Sequence, residues 1–250
     1  MIDLTGRVLL VTGGTRGIGE ATARAAVRAG ADVVVHGRNA DAARALAGEL
    51  GDRAHAVTAD LSDPAAAGAL WDEALAWRGR IDVLVNNAGI YEPVAVDAAP
   101  DAWLDAWRRT TDVNLLAPAV LCRSAIRTFR ESGGGTIVNV ASRAAFRGDD
   151  PDHMHYAAAK AGLVGLTKTI ARGFGRDGIV AMAVAPGFVR TDMTRGHFER
   201  SGDEATAAET ALGEIPGPED VAHTIVFLAS GLARHLTGTT IDVNSGSYVR

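Results

Sequence analysis

Cysteine occurs once in the 250 residues, as Cys122, so no intrachain disulfide can form. A disulfide-stapled secreted scaffold is excluded, a reducing, cytoplasmic setting is the simplest expectation, and Cys122 itself reads as a small core residue. Long apolar runs are missing too. No stretch approaches the roughly 20 apolar residues that cross a bilayer. The opening "MIDLTGRVLLVTGG" has neither the basic start nor the apolar length of a secretory signal. Lysine is almost absent: Lys160 and Lys168 are the only two among 25 basic side chains. The cations are scattered and the net charge is −5, which argues against nucleic acid as a partner. No carboxylate–histidine spacing points to a metal.

What the chain has is an alternation. Short β-branched runs recur at 7–14, 32–38, 54–60, 81–89, 135–142, 179–186 and 239–244. They are continuously apolar, as expected of strands covered on both faces. Alanine-rich segments of helical length lie between them, at 17–29, 40–50, 64–78, 101–131, 155–175 and 218–230. Strand and helix in turn predict an α/β domain with a parallel sheet of about seven strands and helices on both faces. No linker, repeat or low-complexity run divides the chain, so 1–250 reads as one domain. The polar stretch 191–214 is the exception. It falls between a strand and a helix and reads as a mobile excursion over the substrate.

The stretch "TGGTRGIG" (12–19) closes the first strand and opens the first helix. Gly13, Gly17 and Gly19 allow backbone to turn sharply or approach a ligand, and a helix N-terminus offers N–H groups to a pyrophosphate. The spacing is G-x-x-x-G-x-G rather than the usual G-x-G-x-x-G, and a structural glycine turn is the alternative. An NAD site would place a carboxylate at the tip of the second strand. Here that tip reads Gly37, Arg38, Asn39, and Arg16 sits inside the glycine loop. Two guanidiniums suit a 2′-phosphate, so NADP(H) is favoured over NAD(H); solvated surface arginines are the alternative.

In "MHYAAAKAG" (154–162) Tyr156 and Lys160 stand four apart. On a helix they share one face about one turn apart, and the alanines between favour that helix. A tyrosine with pKa near 10 is a poor base at neutral pH. A nearby ammonium would favour the phenolate, and lysine offers a compact charge with three donors. The alternative is an exposed Tyr–Lys pair on an amphipathic helix.

Taken together, Thr12 to Gly19, Asp60-Leu61, Asn86 to Gly89, Asn114, Ser142, Tyr156-xxx-Lys160, Pro186-Gly187 and Thr191 resemble the short-chain dehydrogenase/reductase family over nearly the whole chain. Within it, "YAAAKAGLVGLTK", "APGFVRTDM" and "PEDVAHTIVFLAS" are most similar to the 3-oxoacyl-[acyl-carrier-protein] reductase type. The resemblance implies a Rossmann-type doubly wound fold, a homotetramer using 101–131 and 155–175, and a hydride transfer between nicotinamide and a small carbonyl or alcohol substrate. It also implies roles. Tyr156 would be the acid/base and Ser142 would bond the substrate oxygen. Lys160 would bond the nicotinamide ribose, and Asn114 would interrupt its helix and hold a water leading to Lys160. Gly13, Thr15, Arg16, Gly17, Ile18, Gly19 and Arg38 would hold the phosphates. Asp60, Leu61, Asn87, Ala88 and Gly89 would line the adenine side. Pro186, Gly187, Val189 and Thr191 would hold the nicotinamide.

The sequence departs from that pattern in places. Ser142 and Tyr156 stand 14 apart where 13 is common in the family, so 143–155 is slightly long and unusually charged. The positions where carrier-docking reductases are basic fall at Gly133 and Asp177, with Arg130 and Arg176 nearby. Tyr91, Glu92, Arg143 to Phe146, His153, Phe188, His197 and Phe198 are the expected pocket wall. His153 and His155 are read as pocket or surface residues. The ending "DVNSGSYVR" carries no evident catalytic meaning. Two other readings stand beside an NADP(H)-dependent carbonyl reductase: an NAD(H)-dependent alcohol, sugar or steroid dehydrogenase, and a non-catalytic dinucleotide-binding protein.

Overall fold

A computed structural model describes residues 2–250. Seven strands form: β1 (Val8–Val11), β2 (Asp32–Gly37), β3 (Ala54–Thr58), β4 (Val83–Asn86), β5 (Gly135–Val140), β6 (Ile179–Pro186) and β7 (Thr240–Val243). They build one parallel sheet in the order β3-β2-β1-β4-β5-β6-β7. The connecting helices are α1 (Gly17–Arg28), α2 (Ala40–Leu50), α3 (Pro64–Arg78), α4 (Pro100–Thr111), α5 (Ala117–Ser132), α6 (Ala144–Arg147), α7 (Met154–Phe174), α8 (Arg195–Ser201), α9 (Asp203–Ala208) and α10 (Pro218–Ala229).

Side chains alternate across each strand, which is why the strands read as unbroken apolar runs. Leu9, Val11, Val33, Val35, Val83 and Val85 face one core, covered by α1 and α10. Leu10, Val34, Leu84 and Ile137 face the other, covered by α3, α5 and α7. Both faces are therefore dry. Strand order reverses between β1 and β4, and the connections that follow them leave in opposite directions across the sheet, giving the crevice in which doubly wound sheets bind ligands.

The single helix expected over 101–131 is two. A π turn over Asp112–Leu116 separates α4 from α5. Pro118 explains it: a proline lacks the N–H that would bond the Asn114 carbonyl four residues back. The excursion at 191–214 is more regular than its polarity suggests, with α8 and α9 in it. The main-chain N–H of Ala211 donates to the Ser245 carbonyl at 2.8 Å, so the chain's unusual ending holds this segment in place.

Candidate functional site

A cleft of about 410 Å3 lies beyond the C-terminal ends of β1 and β4. Gly13 turns with φ +61°, and a Cβ there would stand 2.9 Å from the Ala88 Cα. A Cβ on Gly19 would stand 2.8 Å from the Gly13 carbonyl carbon and closer to its oxygen. The glycine loop is thus pressed against the end of β4. Thr12 and Asn87 lock it there. The Thr12 hydroxyl accepts the N–H groups of Asn87 and Ala88, each at 3.0 Å, and the Asn87 amide donates to the carbonyls of Thr12 (2.9 Å) and Gly13 (3.1 Å). His36 closes the other side. Its Nδ1 accepts the Gly13 N–H at 3.2 Å, and its Nε2 faces the Ala59 carbonyl at 3.1 Å. That pairing requires a neutral ring with the proton on Nε2, and burial depresses its pKa accordingly.

This cradle fits a dinucleotide. α2 and α3 have side-chain caps, Asn39 and Asp63, whereas α1 has none and opens on the cleft, leaving its first N–H groups for a phosphate. Thr15, Arg16, Gly17 and Ile18 line the cleft with Gly37 and Arg38 at the β2 tip, Asp60 and Leu61 beyond β3, and Asn87, Ala88 and Gly89 beyond β4. No carboxylate stands at the β2 tip. The nearby Asp60, beyond the end of β3, is held below the usual carboxylate range, mainly by its bonds to Ser62, with Arg38 contributing.

At the far end of the cleft, β5, β6 and α7 bring the remaining candidates together. Tyr156 is buried beside Ser142, whose hydroxyl accepts the Ala144 N–H at 3.1 Å. Lys160 is buried and donates to the Val140 carbonyl at 2.7 Å, with its ammonium 5.7 Å from the Tyr156 ring centre. Asn114 sits in the π turn and clamps the loop after β4: its amide donates to the Ile90 carbonyl and its carbonyl accepts the Ile90 N–H, both at 2.9 Å. Pro186 and Gly187 end β6, with the Arg143 N–H on the Pro186 carbonyl at 3.0 Å. Thr194 folds back on Val189 and Thr191.

Burial dominates the electrostatics of Tyr156 in the chain itself. Burial pushes its phenol up to about 12, with Ser142 acting the other way, and pushes the Lys160 ammonium down to about 8. Both groups are buried, and one of the three Lys160 N–H donors is taken by the Val140 carbonyl. The protein's own groups therefore keep Tyr156 protonated at neutral pH.

The pocket wall differs in part from the expected one. Tyr91, Arg143, Ala144 and Phe188 line it with Ser142 and Tyr156. Glu92 turns out to pair with Arg109, Phe146 lies under Arg250, and His197 stacks on Phe188 at 3.7 Å. His155 is neither pocket nor surface: its Nε2 meets the Glu92 carbonyl at 3.1 Å and its ring lies against Trp107. His153 is buried, stacked on Tyr91 at 3.9 Å. His36 is a site residue that the sequence did not single out, and Thr12 was read only as part of the glycine motif, without its hydrogen-bonding role. A hydroxyl at a strand end and a histidine inside an apolar strand carry a positional signal only once the register is known.

A parallel doubly wound sheet with a glycine cradle at its switch point and a Ser–Tyr–Lys corner beyond it, its tyrosine and lysine buried, defines a dinucleotide-dependent oxidoreductase. A family model described as enoyl-(acyl carrier protein) reductase matches residues 13–248. The chain is 37% identical to a 3-oxoacyl-[acyl-carrier-protein] reductase of Rickettsia conorii, over 98% of both chains. It is 33% identical to the enzyme of that name from Escherichia coli, over 99% of this chain and all of that one. Among solved structures it superposes with a TM-score of 0.91, at 38% identity over 98% of both chains, on a protein of Beutenbergia cavernae described as an NAD(P)-dependent gluconate 5-dehydrogenase with bound NADP. It also matches a Brucella melitensis 3-ketoacyl-(acyl-carrier-protein) reductase complexed with NADH, at TM-score 0.89 and 32% identity over 99% and 100% of the chains. The chain belongs to the short-chain dehydrogenase/reductase family and resembles its 3-oxoacyl-[acyl-carrier-protein] reductase-type members. No helix among the described residues is long and apolar enough to cross a membrane.

The depressed Lys160 leaves a signature in stability. Its folded-state pKa is about 8 against an ordinary 10.5, so between these values the unfolded chain binds more protons and stability rises with pH. Urea denaturation should show wild type gaining on Lys160→Met across that window; a wild type that falls behind the variant there would contradict the assignment.

Proposed function

We propose that the chain is an NADP(H)-dependent oxidoreductase that moves a hydride between nicotinamide and a carbonyl or alcohol carbon, with Tyr156 as acid/base. The observation that carries this reading is the corner at the end of the dinucleotide cleft where buried Tyr156 and Lys160 meet half-buried Ser142. The nicotinamide, when bound, supplies or takes back the hydride. Ser142 and Tyr156 hold the substrate oxygen. Tyr156, kept protonated by burial at a pKa of about 12, gives its proton as that oxygen gains negative charge, and accepts one in the opposite direction. Lys160 holds the nicotinamide ribose, with Asn114 fixing the loop beside it. Pro186, Gly187, Val189 and Thr191 hold the nicotinamide. Arg16 and Arg38 hold the 2′-phosphate, Asp60 and Leu61 flank the adenine, and the 191–214 segment serves as the lid.

The substrate class follows the relatives in part. Their names support a 3-oxoacyl thioester or another ketone. Carrier-protein docking has less support, because Arg130, beside one expected docking position, is tied to Asp177 at 2.7 Å. The NADH bound to the Brucella relative favours keeping a second reading, an NAD(H)-dependent dehydrogenase of an alcohol, sugar or steroid. Cysteine usage fits a cytoplasmic protein, and exposed Leu104 on α4 and Leu116 in the π turn fit a tetramer built on these helices.

Tyr156→Phe should bind NADPH as wild type does, by fluorescence titration, and lose about 10²–10⁴-fold in turnover; retained turnover excludes the assigned role. Arg38→Ala should weaken NADPH by about tenfold while leaving NADH unchanged. A loss shared equally by both cofactors would overturn the NADP preference.

A further inference from the structure

The pocket against Ser142 and Tyr156 is small, about 50 Å3. One wall of it is Arg143, the residue directly after Ser142. Its side chain is 6% exposed, and its Nη2 has no hydrogen-bond partner among the described residues. A buried guanidinium without partners is costly. The Phe188 ring, with its centre 4.5 Å from the Arg143 Cζ, offsets part of that cost. The Glu209 carboxylate on the 191–214 segment stands 3.7 Å away, beyond hydrogen-bond distance, and is half-exposed. It is near enough to neutralise and free enough to swing into solvent.

A second cation, Arg147, lies one helical turn on and lines the same pocket. One carboxylate lines it as well, Asp149, whose Oδ1 is taken by the Tyr91 hydroxyl (3.2 Å) and the Asp150 N–H (2.9 Å). The lining thus has two guanidiniums, one of them unsatisfied, against one carboxylate already bonded. Arginine's planar fork matches a carboxylate with two parallel bonds. A site built to hold a charged group rejects the analogue lacking it, because its own buried group is then left unpaired.

We propose that Arg143 is a specificity-determining residue that binds the carboxylate of a small anionic oxo or hydroxy acid whose reacting carbon lies at Ser142 and Tyr156. The Glu209 carboxylate holds the place that the substrate carboxylate takes. The inference rests on the reductase reading for the reacting carbon, but the anion site stands on Arg143 alone. A space this small takes an acid of a few carbons more readily than a long acyl chain.

The test is calorimetric titration of the NADP+-saturated protein with pyruvate, acetoacetate, 4-oxopentanoate and 5-oxohexanoate, each beside its methyl ester. At least one acid should bind about tenfold or more tightly than its ester, and Arg143→Gln should abolish that advantage. Should Arg143→Gln fail to fold, Glu209→Gln decides: removing the competing carboxylate tightens acid binding several-fold. An ester that binds as well as its acid, an advantage that survives in Arg143→Gln, no gain in Glu209→Gln, or no binding of any acid overturns the proposal. Arg143-dependent binding with no NADPH consumed by wild type would sink the reductase reading and leave the anion site intact.

Discussion

The whole site depends on one close approach, the backbone of Gly19 against the carbonyl of Gly13. No side chain fits between them. Because it is that tight, α1 starts immediately above the end of β1 and its open N-terminus faces the crevice instead of solvent. The Thr12–Asn87 bonds then carry the position of this loop across the switch point to β4. His36 carries it across β2 toward β3. Three strand ends are thus set by contacts that converge on two glycines.

The catalytic corner is registered to the sheet by a second device, a buried polar chain. The Asn86 amide donates to the Asn139 carbonyl at 2.8 Å, and the Asn139 amide donates to the Thr167 hydroxyl at 2.8 Å. The chain runs from β4 through β5 to α7 inside an apolar layer. Polar groups in such a layer are favourable only when bonded, so a slip of α7 along the sheet would leave several of them unpaired. Lys160 adds a further tie, to Val140. The helix that carries Tyr156 is therefore held at one register relative to β5, which ends at Val140, two residues before Ser142. A tyrosine and a serine that must share one oxygen atom require that precision.

Much of this was legible in the residues. The apolar runs and alanine-rich segments gave strands and helices whose limits differ from the structure by few residues, because a doubly covered parallel sheet leaves a plain pattern. The residues of the cleft and the Ser–Tyr–Lys corner were legible through the glycine spacing, the isolated lysine and the family resemblance. Three things were legible only in part. The resemblance has Asn114 interrupting its helix, but the form of the break, a π turn at 112–116, and its cause, Pro118 removing one bond, are not in the apolar pattern. The direction of the Tyr156 shift depends on burial, which only coordinates show. Arg143 was expected in the pocket wall, but its orphaned Nη2 is seen only in the structure.

The central claim is that the crevice between β1 and β4 is the dinucleotide site and that the Gly13–Gly19 approach builds it. Calorimetric titration of NADPH into wild type and Gly19→Ala tests it most directly, with circular dichroism confirming that both are folded. A methyl at position 19 has nowhere to go but against backbone, so the account predicts at least about tenfold weaker binding in the variant. Equal affinity in a folded Gly19→Ala protein would contradict it.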